Sequence, residues 1–415
     1  MQHNILIWII AILSIFLTII RPFKLSEAYW PVGGALMLTV LGLISYAEAF
    51  NGIMKGFDVY MFLAGMMLLA EVAREEKLFD WLAALAVSYS NSSPKILFLL
   101  VYCVGIFTTV FLSNDATAVV LTPAVFAAAK KAKVESPLPF LLICAFIANA
   151  ASFVLPISNP ANLVMYEKNI PPLFSWLRQY TIPSLVAIVM TYIMLLLTQR
   201  KSLQSNIEGN VAVPALSVGG KLAGWGIIIS AFVLAICSAF DIALGLPTMI
   251  TGITVFNLVV IRCRLQPLKI ISKISWAVLP MVAGLFVIVE SLIKTGLVES
   301  AKICLEKSAA NSVSFTTWNS GIGIALISNI TNNLPSGLMA ANAVQASHIP
   351  SIVQRSLLIG VDLGPNLSVT GSLATILWLV ALRREGQNIN FWQFLKLGVI
   401  VMFPPLLLAI LSLWI

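Results

Sequence analysis

The sequence predicts an all-α polytopic membrane protein built from two inverted repeats, each with about five transmembrane helices, one re-entrant hairpin and one broken helix. Three observations carry that prediction. Apolar residues make up 59% of the 415 and charged residues only 10%, against roughly 25% charged in soluble domains. The apolar residues lie in continuous stretches, which suits helices and not the alternation of a membrane β-barrel. Similar polar interruptions recur, in the same order, in both halves of the chain. The composition excludes a soluble enzyme, a nucleic-acid module and a disordered chain.

Apolar segments fall near residues 4–20, 30–47, 57–73, 94–112, 115–129, 137–165, 180–198, 222–240, 246–262, 275–293, 315–330, 333–347, 351–380 and 392–414. The first lacks a basic leader and reads as a span, not a cleaved signal. The longest polar stretch, 200–221, reads as a cytoplasmic linker between repeats at 1–199 and 222–415. Four matches support the repeat. Pro31 pairs with Pro247 at an offset of 216, and Ala64-Gly65 and Glu71 pair with Ala283-Gly284 and Glu290 at 219. Asn114-Asp115 pairs with Asn332-Asn333 at 218, and Asn149 and Ser158-Asn159 pair with Asp362 and Gly371-Ser372 at 213.

Two interruptions read as tips of re-entrant hairpins with short arms: Ser113-Asn114-Asp115 and Asn329 to Asn333. Two more break a span, at Pro156 to Asn162 and at Asp362 to Ser372. Proline and asparagine cannot continue a helix in lipid without internal partners. Paired broken segments at matching positions of two halves point to a transporter binding site.

Five crossings per half is an odd number, so the second half is inverted. This topology places 17 Lys/Arg on one side, or 18 with Lys396, and seven on the other: Lys55, Lys168, Arg178, Lys294, Lys302, Lys307 and Arg355. The richer side is cytoplasmic by the positive-inside rule, which puts both termini outside. The net charge of +8 follows from the same bias.

Intramembrane acids default to function. Asp115 and Asp362 sit in the breaks and are the candidate proton-coupling groups. A buried carboxyl can carry a proton near neutral pH or bind Na⁺ when ionised. Asp115 could equally cap a helix. Substrate contacts are assigned to Asn114, Ser158, Asn159, Asn332, Asn333 and Ser372, with Ser113, Asn149, Asn162, Thr331, Asn366, Thr370 and Gly371 as secondary candidates. Amides and hydroxyls donate and accept without charge, which suits a small polar solute or a partly dehydrated cation. Glu71 with Arg74 reads as a local ion pair or as part of a proton relay. The five cysteines lie outside the breaks and read as packing. No metal site, cofactor motif, Walker A loop or hydrolase motif is present. Transport must draw on an ion gradient or a separate ATPase.

Ser113-Asn114-Asp115 through Leu121-Thr122-Pro123, Asn332-Asn333-Leu334-Pro335, Val361-Asp362-Leu363-Gly364-Pro365-Asn366 and Gly371-Ser372-Leu373-Ala374-Thr375 together resemble the ArsB family of arsenite/antimonite efflux pumps in the ion-transporter superfamily. The resemblance runs over nearly the whole chain. Phe153 to Asn162 departs from it, with prolines at 156 and 160. It implies export of trivalent arsenic and antimony in exchange for protons across the inner membrane, arsenical resistance, and in some members a cytoplasmic arsenite-stimulated ATPase partner. The readings left open are a Na⁺/H⁺ antiporter or anion carrier of the same superfamily, and a passive channel or membrane subunit of an ATPase-driven pump.

Overall fold

Serine, asparagine and proline punctuate the apolar runs, and helices begin where they stand. The computed structural model describes residues 2–20, 22, 25–166, 170–204, 207–208 and 213–415. Residues 205–206 and 209–212 of the expected linker, and Arg21, Lys24 and Lys168 of the charge count, lie outside the described residues.

The first half holds α1 (Gln2–Ile20), α2 (Tyr29–Val40), α3 (Tyr46–Lys55), α4 (Phe57–Glu75), α5 (Leu78–Ser88) and α6 (Pro94–Phe111). Next come the short α7 (Asn114–Ala116), a π-helical stretch (Thr117–Leu121) and α8 (Thr122–Lys131). Then α9 (Leu138–Ala150), a 3₁₀ turn (Pro156–Ser158), α10 (Pro160–Tyr166) and α11 (Leu173–Gln199) complete it. The second half holds α12 (Val218–Ala239), α13 (Gly245–Cys263), α14 (Pro267–Ile271), α15 (Val278–Lys294) and α16 (Leu297–Asn311). It continues with α17 (Val313–Thr331), α18 (Asn333–Gln345), α19 (Ser351–Leu363), a 3₁₀ turn (Gly364–Leu367), α20 (Leu373–Arg384) and α21 (Phe391–Leu411). Among the described residues there is no strand.

Among the described residues, five stretches are long and apolar enough to cross a membrane: α6, α11, α12, α13 and Phe391–Trp414. Two bent pairs, α3–α4 at 47° and α15–α16 at 71°, raise the number to seven if each is one span. Further apolar stretches, α2, α5, α9 and His3–Thr18 of α1, are shorter. The rising arm of the first hairpin, α6, is longer than the short arm expected. Ser93 caps it and Pro94 opens it, so 18 residues precede the break.

Close crossings hold the halves together. α4 packs on α13, and α2 packs on α15. A Cβ at Gly65 would stand 2.3 Å from the Thr248 carbonyl oxygen, and one at Gly284 would stand 2.6 Å from the Pro31 carbonyl carbon. Small residues let helix backbones meet where lipid gives no hydrophobic drive for association. Large fully buried aromatic side chains then pin the interior, with polar atoms bonded to neighbouring helices. Trp378 of α20 donates to the Leu141 carbonyl of α9 at 2.8 Å, and Tyr102 of α6 donates to the Ile188 carbonyl of α11 at 2.6 Å.

Candidate functional site

The broken spans meet in a buried clasp. The Asn159 amide donates to Asp362 at 2.8 Å, and the Ser372 hydroxyl donates to the Asn149 amide oxygen at 3.1 Å. One shift of 213 positions exchanges these two bonds, carrying Asn149 onto Asp362 and Asn159 onto Ser372. Asn149 also donates to Asn366 at 3.0 Å and to Thr375 at 3.3 Å. Asp362, Asn149, Ser372 and Asn159 are all buried, at most 1% exposed. A cluster this dry survives only because its polar atoms are paired. One atom in it is not: Asp362 Oδ2 has no hydrogen-bond partner among the described residues.

Part of the amide content repairs the breaks themselves. Pro156 and Pro160 offer no N–H, so carbonyls on the preceding turn are left without helical donors. Asn162 donates to the Ser152 carbonyl, four residues before Pro156, at 2.8 Å. It adds a bond of 3.3 Å to the Leu155 carbonyl, which also accepts from the Ser158 N–H. Ser158 donates to the Val110 carbonyl at 3.1 Å and so ties the first break to the end of α6. Asn366 does the same for the Phe146 carbonyl at 3.2 Å.

The two hairpin tips are wired differently. In the first, Ser113 accepts from the Ala116 N–H and Asn114 accepts from the Asp115 N–H, both within the tip. The second tip is bonded to its own broken span. Asn329 donates to the Gly364 carbonyl at 2.9 Å and accepts from Ser368 at 2.7 Å, while Thr370 donates to the Asn329 carbonyl at 2.9 Å. Asn332 donates to the Thr370 carbonyl at 3.5 Å, and the Asn333 N–H donates to the Gly371 carbonyl at 2.9 Å. Thr331 and Ser336 share a hydroxyl bond of 2.5 Å. Asn332 has φ +73° and ψ 152°, a sparsely populated conformation that neighbours must hold in place. A Cβ at Gly371 would stand 2.4 Å from Pro365 Cα, so only glycine fits there. Helix α20 packs against α7 of the first tip, and α10 packs against α18 of the second. Each hairpin thus touches the broken span of the other half.

The first tip faces an open cleft of about 680 Å³ lined by Met66, Glu71, Ser113, Asp115, Lys273 and Ser275, among others. Asp115 is half-buried in its wall. Ion pairs rim the cleft. Arg74 bonds Glu71 on the same face of α4, as the spacing predicts, and Lys273 reaches Glu75 at 2.5 Å. The Lys273 hydrogen bond holds the Glu75 carboxyl below its ordinary range. The second tip, at Thr331, Asn332 and Pro335, borders a smaller space of about 350 Å³.

The structure therefore joins Asn149, Asn159, Asp362, Asn366 and Ser372 directly. It sets Thr331, Asn332, Asn333, Thr370 and Gly371 in a second cluster, and Ser113, Asn114 and Asp115 in a third. Ser158 and Asn162 serve the backbone of the first break. Thr375, Asn329 and Ser368 were missed. Thr375 lies in the quoted Gly-Ser-Leu-Ala-Thr run and Asn329 opens the second interruption, so polar content beside each break was the available signal. Among the described residues no group of His, Cys, Asp and Glu is placed to hold a metal ion.

Comparison with known proteins gives a consistent picture. The citrate transporter family model matches residues 15–361. The chain is 27% identical over 428 residues to the arsenical pump membrane protein of Escherichia coli (strain K12), covering 97% of each chain. It is 25% identical over 424 residues to the protein of that name from Yersinia enterocolitica, again covering 97% of each. An uncharacterized transporter of Mycobacterium tuberculosis is 24% identical over 405 residues, covering 94% of both. Among solved structures, the YdaH transporter of Alcanivorax borkumensis, described as having an unusual topology, matches with TM-score 0.54 at 13% identity, covering 89% of this chain and 87% of that one. That likeness establishes the fold.

Proposed function

Because the chain belongs to the citrate transporter family, and is thus a multi-pass membrane transporter, we propose that it exports arsenite and antimonite in exchange for protons. The observation that carries this reading is the reciprocal clasp: Asn159 on Asp362 and Ser372 on Asn149, exchanged by one shift along the chain. A site contributed equally by two halves, each with a broken span, is what alternating access about a fixed centre requires. In this reading residues 1–199 and 222–415 are inverted repeats joined by the 200–221 linker, the chain lies in the inner membrane, and both termini are outside.

The substrate follows from the chemistry of the site and from the full-length relatives named as arsenical pumps. Trivalent arsenic near neutral pH is the uncharged trihydroxide, which needs several donors and acceptors at once. Asn159 and Ser372 of the clasp and Asn114, Asn332 and Asn333 of the tips are the groups proposed to supply them without sulfur, with Ser158 held on the Val110 carbonyl, and neutral groups release such a cargo faster than thiolates would. Asp115 and Asp362 are the carboxyls available to exchange protons for it, one on the open cleft and one in the sealed clasp. The family's name, citrate transporter, favours a second reading, a citrate-type anion carrier. A polyanion calls for arginine or lysine at its carboxylates. The clasp has neither, and Arg74 and Lys273 at the cleft are already paired with glutamates.

Arsenite and citrate uptake into inverted membrane vesicles, with and without an imposed pH gradient, tests this. Arsenite accumulation that collapses with a protonophore supports the reading. Citrate accumulation, dependence on Na⁺, passive equilibration, or strict dependence on an added arsenite-stimulated ATPase would each replace it.

A further inference from the structure

The cleft before the first tip is much roomier than an arsenic trihydroxide needs, and its wall is mostly apolar. Phe62, Met66 and Met67 of α4 form one part of that wall, and Val278 of α15 adds to it. Val119 of the π-helical stretch and Leu377 of α20 line the same space. At about 680 Å³ it has the size of a site for an organic ligand. Such sites seat an apolar body on the walls and fix it with a few placed polar groups.

The charged groups of the cleft are not equivalent. Glu71 is held by Arg74, and Lys273 by Glu75 at 2.5 Å. Asp115 has no such partner. Its N–H bonds the Asn114 amide oxygen, and its carboxyl meets no hydrogen bond or ion pair among the described residues. Asp115 is nonetheless half-buried and borders the same space as Phe62 and Met66. The neighbouring Ser113 hydroxyl caps the Ala116 N–H. The cleft therefore sets one uncommitted acid against an apolar surface.

That combination selects among ligands. An anion would meet the Asp115 carboxylate with no free cation to offset it. A small metal ion wants several oxygen ligands, and among the described residues no group of His, Cys, Asp and Glu is placed to hold one. A polyamine would lay its further charges on side chains that cannot solvate them. An uncharged trihydroxide leaves the apolar wall uncovered. One ammonium group on an apolar body satisfies both parts. Its N–H groups bond the carboxylate, and its body packs on the adaptable methionines.

We propose that this cleft is a binding site for amphipathic monovalent ammonium cations, with the charge on Asp115 and the body against α4 and α15. An ammonium there keeps a proton off the carboxyl, so such a ligand inhibits any transport that uses Asp115. The inhibition rests on the proton-coupled reading, whereas the binding site stands whatever the cargo is.

Isothermal titration of the full chain in phosphatidylcholine nanodiscs tests the binding, with empty nanodiscs as the blank. The probes are phenylbutylammonium, its uncharged analogue phenylbutanol, and ethylammonium, which keeps the charge and lacks the body. The expected result is saturable binding of phenylbutylammonium, with both other probes weaker by about tenfold or more, the scale of one charge-assisted contact. Asp115→Asn should weaken the first probe by about tenfold, and Asp115→Glu should hold it within about threefold. Met67→Trp fills the cleft, leaves Asp115 in place, and should also weaken it. Phenylbutanol binding as tightly as the cation would overturn the site, since the walls alone would then suffice. Ethylammonium binding as tightly would overturn it too, as a bare ion contact. Binding that survives in both Asp115→Asn and Met67→Trp would place the amine in lipid and end the proposal. The three probes on the unaltered chain decide the matter where a variant is poorly folded.

Discussion

The two hairpin tips occupy matching places in the chain and yet are held in different ways. The second is fastened by Asn329, Asn332, Asn333 and Thr370 to the break that follows it. The first is bonded within itself and looks into an open cleft. Their chemistry differs in the same sense. Asp115 of the first matches Asn333 of the second, whereas Asp362 of the second break matches Asn149 of the first. Each half thus carries one acid and one amide, in opposite order. The breaks match in position along the chain, and the hydrogen bonding around them does not.

The largest effect should come from erasing the acid–amide difference. Asp115→Asn makes the first tip a chemical copy of the second, and Asp362→Asn does the same for the breaks. Each variant should insert normally and lose proton-driven arsenite uptake in inverted vesicles by about a hundredfold, on the scale of a lost proton-transfer group. Wild-type uptake by either would break the assignment.

Next comes anchoring. Asn329→Ala takes the amide donor from the Gly364 carbonyl and leaves the Ser368 hydroxyl with Thr370 alone. It should cost about 3 kcal/mol of stability, since orphaned buried polar groups cost roughly 1–3 kcal/mol each. Asn114→Ala removes only a local cap and should cost about 1 kcal/mol. Denaturant unfolding in detergent measures both, and equal costs would erase the contrast. In transport the order should reverse. Asn114→Ala should raise the arsenite KM about tenfold, the loss of one hydrogen bond at the free tip.

Replacing all five cysteines with alanine touches neither tip. Arsenite transport should stay within about a factor of two, because free cysteines here act as small apolar side chains. The smallest effect concerns the cleft rim. Glu75 titrates below its ordinary value of 4.5 because of Lys273, so its contribution is fully present above that value. It is lost as the pH falls through the lowered value. The NMR signal of the Lys273 side-chain nitrogen should therefore shift as the pH falls below 4.5, and Glu75→Gln should remove that shift.

Much of this was legible in the residues. Long apolar runs, prolines at 156 and 160, and asparagines on apolar helices announce breaks wherever lipid cannot satisfy a backbone. Which amide serves the substrate and which repairs the backbone was not legible. Asn162 and Asn159 lie three residues apart, yet one donates to carbonyls of its own half and the other to a carboxylate of the opposite half. That choice depends on helix packing between halves, which no local pattern encodes. Thr375 escaped notice for the same reason: it lies one turn past the break, and it is α9 that brings Asn149 to it. The Glu71–Arg74 pair was readable because both groups lie on one helix turn.

The π-helical stretch Thr117–Leu121 separates the first tip from α8. Such a turn holds one residue more than an α-helical turn. Letting that surplus residue slip out would rewind the stretch as ordinary α-helix and swing everything ahead of it by one residue's rotation, about 100°. The Asp115 carboxyl would then leave the wall of the cleft while α8 stayed in its bed. If Asp115 carries the proton as proposed, such a slip would turn its carboxyl without dragging a whole domain through the bilayer.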